Sequence, residues 1–415
     1  MNQKLKNWIM RKNNKETIWA FIANLFDVFF GLFIISIPLF VAKEFFGQFS
    51  YYLSLILFIQ VFTDFGISRT IARRISKLFK KTKDISPAIN SYKYFRKINF
   101  ILCVLFSVLL FLFFDKFPYN IWLILLTTAC FLTYYLDFYN FFNAVHCNKY
   151  LAISSFVKNL ISIFALMIPI IYGFSIEYLL LSYLIGLAMS SLFIKWLFFK
   201  KIKYPKTLQT EKKVLSESSF FLLSSGSGIL LREVNMIILS IMGNFSWVAE
   251  FAIIKYLNRG INIIPLSLGM GVAPLFSEID IKNKNKLIGT FRKYLIFLIL
   301  VYILILSFIF IFSRHLIIYI YGDEYLSIIS LLKIGTAYFF LMGINTFLIR
   351  FSDYMGLIKK RVVFMNISLL LSIFLSIVLI PNHGVRGVLI SLIITHLFYV
   401  SCNLITVYQK FKTIL

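Results

Sequence analysis

The sequence predicts an all-α polytopic membrane protein, and its composition carries that prediction. Of its 415 residues, 60% are hydrophobic and 14% are charged, whereas soluble domains are about 45–50% apolar and about 25% charged. A helix that crosses a bilayer needs about 20 apolar residues, so about a dozen crossings would use close to the observed apolar fraction. The core of a soluble enzyme of this length cannot bury 48 Phe and 23 Tyr. Ordinary soluble classes are therefore excluded.

About twelve apolar segments along the chain are long enough to cross a bilayer. They lie at 18–42, 48–68, 98–114, 119–145, 151–173, 176–199, 218–242, 246–275, 292–313, 325–349, 362–381 and 385–408. The fourth and eighth exceed the thickness of a bilayer, so we expect them to tilt or to extend beyond it.

The charge distribution predicts the topology. The net charge is +26, and the basic residues concentrate in every second connection, at 69–97, 200–213, 277–293 and 359–361. The positive-inside rule places these connections and both termini in the cytoplasm. The basic N-terminal flank then precedes a retained first helix rather than a cleaved signal peptide. We interpret the excess basic residues as residues that set the topology and that contact anionic lipid or substrate. We expect no nucleic-acid binding.

The polar connection 200–217 divides the predicted spans six and six. The sequence thus predicts an N-terminal six-helix lobe (1–199), a basic cytoplasmic linker (200–217) and a C-terminal six-helix lobe (218–415) around a central cavity. Two lobes related by a parallel repeat are common in transporters. The tetrapeptide Gly-Gln-Phe-Ser at 47–50 has an echo, Gly-Asn-Phe-Ser, at 243–246, although three matched residues can also arise by chance.

Cationic side chains inside the eighth span are the first candidate site. Lys255, Arg259 and Asn262 are spaced i, i+4 and i+7, which places them on one helical face. From an outer start near 246, the helical rise places the two cations about 13 Å and about 20 Å deep. Like charges one turn apart repel each other, so this depth favours a bound anion or a hydrated cavity. Arg232 and Lys158 complete the predicted anion-binding set.

Each of these cations also has a purely structural interpretation. Lys158 lies close enough to the interface to snorkel. An acid on another helix can neutralise Arg232, and the Lys255–Arg259 pair can itself be structural.

Acidic residues and helix breakers inside the spans are the second candidate set. The acidic residues are Asp27, Asp137, Asp64 and Glu233. We expect them either to form salt bridges with the cations or to bind a coupling ion. Pro265 and Gly269 predict a bend in the eighth span that can serve as a gate, although both are also compatible with ordinary packing. We expect His396 to be a hydrogen-bonded bundle residue rather than a proton relay.

Signals of enzymatic chemistry are missing from the sequence. It contains no nucleotide-binding loop, no metal-ligand spacing and no nucleophile elbow, and its four cysteines lie in or beside apolar runs. Short cytoplasmic connections leave no room for a catalytic domain. We therefore expect a transporter with no cofactor or metal, rather than an enzyme.

Four motifs along the chain resemble those of one family. Thr63-Asp64-Phe65-Gly66 followed by Arg69 resembles the end of span two in Wzx-type polysaccharide flippases, which belong to the multidrug/oligosaccharidyl-lipid/polysaccharide superfamily. Three further stretches are similar to that family: Pro274-Leu275-Phe276-Ser277, the turn 319–325 and the turn 380–387. One departure is the turn at Gly47, which lacks the second glycine that the family often has.

The resemblance implies a function, a location and partners. The expected cargo is an undecaprenyl-pyrophosphate-linked oligosaccharide, an O-antigen or similar repeat unit of lipopolysaccharide or polysaccharide biosynthesis. It would move from the inner to the outer leaflet of the bacterial cytoplasmic (inner) membrane by alternating access coupled to a proton or sodium gradient. The expected partners are this glycan lipid, membrane lipids and a polysaccharide polymerase, and the expected state is a monomer.

Two other functions stay open. A multidrug extruder of the same superfamily would handle organic cations and would favour buried acids over buried bases. A non-transporting membrane scaffold of glycan assembly would leave the cost of cations at mid-bilayer unexplained.

Overall fold

The computed structural model describes residues 3–81, 84–96, 98, 137–145, 147–202, 218–219, 222–269 and 284–413. Within these ranges every regular element is helical, which confirms the all-α prediction. Residues 99–114 of the predicted third span, the first part of the fourth and most of the basic linker lie outside the described residues.

The first half of the described chain contains seven helices. They are α1 (Gln3–Ser36), α2 (Lys43–Asp64), α3 (Ile67–Lys81), α4 (86–96), α5 (Asp137–Ala144), α6 (Asn148–Ile171) and α7 (Ile176–Lys201). A short 3-10 turn, Ile37–Leu39, lies between α1 and α2. Residues Phe65 and Gly66 join α2 to α3 with positive φ angles of 47° and 72°. A backbone with positive φ favours glycine at this turn.

The second half begins with a π-helical turn at Leu222–Gly226. It continues with α8 (Ser227–Met242), α9 (Phe245–Ile261), α10 (263–269), α11 (Lys284–Tyr321), α12 (Ser327–Tyr354), α13 (Ile358–His383) and α14 (Val385–Thr413). A 3-10 turn, Asp323–Tyr325, separates α11 from α12.

Eight helical segments in the described ranges are long and apolar enough to cross a membrane. They are Phe21–Leu39, Lys43–Phe62, Asn148–Ile171, Ile176–Lys201, Asn285–Tyr321, Ser327–Asp353, Ile358–His383 and Val385–Lys412, and each overlaps a predicted span. The chain is a multi-pass membrane protein. The predicted seventh span is represented by the 16-residue α8 behind its π-helical turn, and the eighth is interrupted at Asn262 between α9 and α10.

Contacts between Cα atoms group the chain into two compact units. One contains Met1–Phe33 and Tyr52–Glu233, and the other contains Ile34–Tyr51 and Val234–Leu415. The sequence predicts a division at 200–217, whereas the chain changes unit between Glu233 and Val234 of α8. In addition, the end of α1 and the start of α2 are grouped with the C-terminal half. In the first unit α6 packs on α7, and in the second α14 packs on α12 and α13.

The basic connection after the second span is helical. Ile67, Ile71 and Ile75 on α3 are fully buried in a core that also contains Tyr92 of α4 and Phe198 of α7. Spacing by four residues puts the three isoleucines on one face of α3. Its basic residues, which include Arg73 and Lys77, occupy other positions on an amphipathic helix.

Candidate functional site

The cationic end of α9 is the first element of the site. Asn244 caps the helix, because its side chain accepts a hydrogen bond from the Trp247 amide at 2.9 Å. Most of the helix after the cap is buried, from Val248 onward. Lys255 is half-buried, with its Nζ 5.7 Å from the centre of the Tyr256 ring.

Arg259 differs from the rest of α9 because its side chain is exposed. No ion pair joins it to a carboxylate among the described residues. It lies in the last turn of the helix, where a cation interacts favourably with the helix dipole. An exposed guanidinium at this position offers five donors to an anionic ligand.

The interruption of the eighth span follows directly after Arg259. Pro265 has no amide hydrogen, so the Ile261 carbonyl loses its helical partner. The Tyr302 hydroxyl of α11 donates to that carbonyl at 3.3 Å. At the break itself, the Asn262 side-chain oxygen accepts from Thr346 Oγ1 at 2.9 Å. Tyr302 of α11 therefore satisfies the backbone carbonyl that the break releases, and Thr346 of α12 binds the Asn262 side chain.

Two glycines permit close packing around this break. A β-carbon on Gly343 would lie 2.3 Å from Cε1 of Tyr302, so the small residue makes room for the tyrosine. A β-carbon on Gly269 would lie 2.9 Å from Cγ of Arg350. Gly269 thus has a packing role at the interrupted span, and the use of Pro265 and Gly269 as a gate stays a prediction.

A second polar cluster lies in the N-terminal unit around Asp27 of α1. One carboxylate oxygen accepts from Lys158 Nζ at 2.9 Å, from Ser155 Oγ at 3.0 Å and from Asn159 Nδ2 at 3.0 Å. The side chains of Lys158 and Asp27 are 20% and 25% exposed. In this structure Lys158 is therefore the salt-bridge partner of Asp27 rather than an isolated cation.

Asp64 has a partner that the sequence analysis missed. Its carboxylate accepts from Arg96 Nη2 at 2.5 Å and also from the hydroxyl of Ser68. Arg96 is buried, with only 2% of its side chain exposed. This cluster joins the end of α2 to α3 and α4.

The remaining predicted residues lie on α8 and α5. On α8, Arg232 is exposed whereas Glu233 is 3% exposed. Both belong to the first unit, and Lys255 and Arg259 belong to the second. Asp137 begins α5, and its side chain lies outside the described residues.

The sequence did not predict a partly buried ion pair at the start of α2. Lys43 Nζ lies 2.6 Å from Glu250 Oε1, and Ser327 donates to the same oxygen at 2.5 Å. Lys43 also lies 5.3 Å from the Tyr325 ring centre. Burial, together with Glu324 and Glu250, raises the pKa of Tyr325 to about 12, so the phenol stays protonated. The sequence feature that could have indicated this pair is the acidic residue Glu250 near the start of the predicted eighth span.

Uncharged polar side chains connect the helices of the C-terminal unit. Asn235 of α8 donates to Ser372 at 3.0 Å and accepts from Ser376 at 2.6 Å. His396 Nδ1 lies 2.9 Å from Asn345 Nδ2, as expected of a hydrogen-bonded bundle residue. Such contacts join helices where the surrounding medium offers no competing water.

Solved structures share this fold. The lipid II flippase MurJ in an inward closed conformation has a TM-score of 0.66 at 19% identity, covering 96% of this chain and 89% of that one. A MATE transporter from Vibrio cholerae has a TM-score of 0.65 at 14% identity, covering 99% and 98%. A MOP superfamily transporter from Pyrococcus furiosus, for which a reversed polarity of the binding pocket is described, has a TM-score of 0.57 at 15% identity, covering 97% and 96%.

The sequence comparisons identify the family. No curated protein sequence matches this one. The family model for polysaccharide biosynthesis proteins matches residues 14–280, which is more than half of the 415 residues. The solved structures show the fold of the chain, and the family match shows that the chain belongs to the polysaccharide biosynthesis protein family.

Proposed function

We propose that this protein flips an undecaprenyl-pyrophosphate-linked oligosaccharide, an O-antigen or similar repeat unit, from the inner to the outer leaflet of the bacterial cytoplasmic membrane. Such a cargo has three chemically different parts: a polar glycan, a pyrophosphate and a long polyprenyl chain. The pyrophosphate and glycan cannot cross hydrocarbon unaided, because burying an unpaired charge there is costly.

The exposed Arg259 is the observation that carries this proposal. Lys255 and Arg259 are one turn apart, or about 6 Å along the helix axis, which is of the order of the spread of charged oxygens on a pyrophosphate. Arginine can contact two of these oxygens at once, whereas lysine acts as a point charge. An anion between them would relieve the repulsion that the two cations have in the empty protein. This relief would add to the free energy of anion binding.

Alternating access and an ion gradient complete the proposal. The break at Asn262 provides a place where the eighth span can bend. Asp27 is the candidate for ion coupling, because protonation of its carboxylate would weaken its hold on Lys158. A proton bound at Asp27 would thereby change the charge balance of the N-terminal unit.

The proposal is tested by transport of a fluorescent polyprenyl-pyrophosphate glycan in proteoliposomes. Arg259→Ala should sharply reduce transport, and Arg259→Lys should retain part of it because the charge remains. Arg314→Ala is the matched control, since Arg314 is also an exposed cation of the same unit and lies at the far end of α11. That variant should transport normally.

Two outcomes would contradict the proposal. Normal transport by Arg259→Ala, Lys255→Ala and the double variant would show that the anion binds elsewhere. Transport of an ethidium-like cation with no movement of the glycan lipid would favour the multidrug extruder. A protein that moves neither substrate in the same vesicles would be a scaffold.

A further inference from the structure

A groove between α11 and α14 is lined by none of the residues of the proposed transport site. Its volume is about 580 Å³. It is lined by Ile288, Phe291, Arg292, Leu404, Val407, Tyr408, Phe411 and Lys412. Six of these eight residues are apolar or aromatic, and the other two are cations.

Three aromatic rings pack against one another at the base of the groove. The Phe291 ring lies 4.5 Å from that of Phe351 and 5.6 Å from that of Phe411, between centroids. Phe351 and Phe411 are themselves 5.8 Å apart. These three rings are buried, whereas Tyr408 and Leu404 on the wall are 70% and 37% exposed. The groove therefore presents an apolar surface to its surroundings on a rigid base.

The sequence of α11 places the groove at the edge of the hydrocarbon. Arg292 and Lys293 directly precede 20 residues, 294–313, that contain no charge. A run of this length spans the hydrocarbon core, so Arg292 lies at its boundary. The end of α14 lies beside the start of α11, and Lys412 is the last charged residue of α14. Leu404 lies eight residues earlier, or about 12 Å deeper in the membrane. By the positive-inside rule this end faces the cytoplasm.

Arg292 and Lys412 are both exposed. Neither forms an ion pair with a carboxylate in the part of the chain that the structure describes. The two cations match a phosphate headgroup, and the apolar residues below them match a hydrocarbon chain. A phospholipid contains both parts. A neutral headgroup would leave this charge uncompensated.

We propose that the groove binds an anionic glycerophospholipid of the cytoplasmic leaflet. Its phosphate contacts Arg292 and Lys412, and one acyl chain lies along Val407 and Leu404. Each basic residue near a membrane surface strengthens the binding of anionic lipid by about fivefold. The two together should then favour an anionic over a zwitterionic headgroup by about 25-fold.

Native mass spectrometry of the purified full-length protein tests this proposal. The protein in detergent is titrated with phosphatidylglycerol and with phosphatidylcholine of identical acyl chains. The natural protein should retain phosphatidylglycerol preferentially. The double variant Arg292→Ala/Lys412→Ala should lose most of that preference, by about one order of magnitude or more in affinity.

Two further variants separate the groove from general attraction of charge. Lys359→Ala removes an exposed cation that the positive-inside rule also assigns to the cytoplasmic end, outside the groove, and should leave the preference unchanged. Leu404→Trp fills the groove but keeps both cations, and should reduce phosphatidylglycerol binding. Elution volume and thermal stability verify that each variant is folded.

Three results would overturn the proposal. One is equal retention of the two lipids by the natural protein. Another is an undiminished preference in a folded Arg292→Ala/Lys412→Ala variant. A third is an equal loss in Lys359→Ala, which would show that the whole cytoplasmic surface attracts anionic lipid without a defined site.

Discussion

Gly47 and Phe245 lie in direct backbone contact, because a β-carbon on Gly47 would stand 1.9 Å from the carbonyl oxygen of Phe245. One turn further along α2, the Tyr51 ring lies 6.0 Å from the Phe245 ring. The two similar tetrapeptides, at 47–50 and 243–246, thus belong to segments that contact each other within the C-terminal unit. The contact explains why glycine is needed at position 47, whatever the origin of the echo.

Gly47→Ala should destabilise the protein, because the added methyl group cannot fit without a shift of the backbone. Overpacking of this kind costs about 1–3 kcal/mol, so we expect a melting temperature lower by several degrees in a fluorescence-detected size-exclusion assay. Gly31→Ala is the control, since a β-carbon there meets nothing within 4 Å and alanine favours a helix over glycine. Equal melting temperatures for the two variants would refute the close contact.

Tyr302→Phe should destabilise the C-terminal unit by leaving the Ile261 carbonyl without a donor. A fully buried carbonyl that loses its partner costs about 1–3 kcal/mol, which is an upper bound for this part-buried one. Pro265→Ala returns an amide hydrogen to that position of the helix. Tyr302→Phe should therefore cost less in a Pro265→Ala background than alone, as measured by thermal unfolding. Strictly additive effects would show that Tyr302 does not substitute for the missing amide.

Asp27 and Lys158 should be energetically coupled. Lys158→Met leaves the Asp27 carboxylate in a half-buried site with neutral donors, and Asp27→Asn leaves the lysine without its counter-ion. The double variant removes both charges and should be more stable than the sum of the single effects predicts. Pairs in contact show coupling energies of about 0.5–3 kcal/mol, and a double-mutant cycle of melting temperatures would detect such a value. Ser162→Ala on the same helix, whose side chain does not contact Asp27, serves as the neutral reference.

The Lys43–Glu250 pair should matter for stability more than a surface salt bridge does. Glu250→Ala removes the acceptor of both Lys43 and Ser327 and leaves a partly buried cation without this carboxylate, which is destabilising. Glu250→Gln retains the shape and an acceptor oxygen and should lose less. Yields of folded protein from membranes, compared with those of Glu324→Gln on the exposed turn nearby, measure the difference. Indistinguishable yields for all three would mean that the pair contributes little.

The topology that the alternating charge predicts can be tested at two exposed positions, His383 and Lys359. In a background without the native cysteines, His383→Cys should react with an impermeant thiol reagent in intact cells. Lys359→Cys should react only after permeabilisation. The opposite pattern would invert the orientation.

The amino-acid sequence by itself determined that the chain is helical and where most of its spans lie. An apolar run of bilayer length is a local property, and backbone groups in hydrocarbon must find partners within the same segment. The break in the eighth span was visible for the same reason, since Pro265 cannot donate a helical hydrogen bond. The cationic face of α9 likewise followed from spacing along one helix.

Only the tertiary structure decided which side chains meet across the chain. Asp27 pairs with Lys158, which lies 131 residues away, and the Ile261 carbonyl finds Tyr302 on another helix. The same holds for the contact of Gly47 with Phe245 and for the pairing of Lys43 with Glu250. Periodicity reports the face on which a residue lies, but not which helix packs against that face. Partner choice depends on the packing of whole helices, and a local pattern contains no information about it.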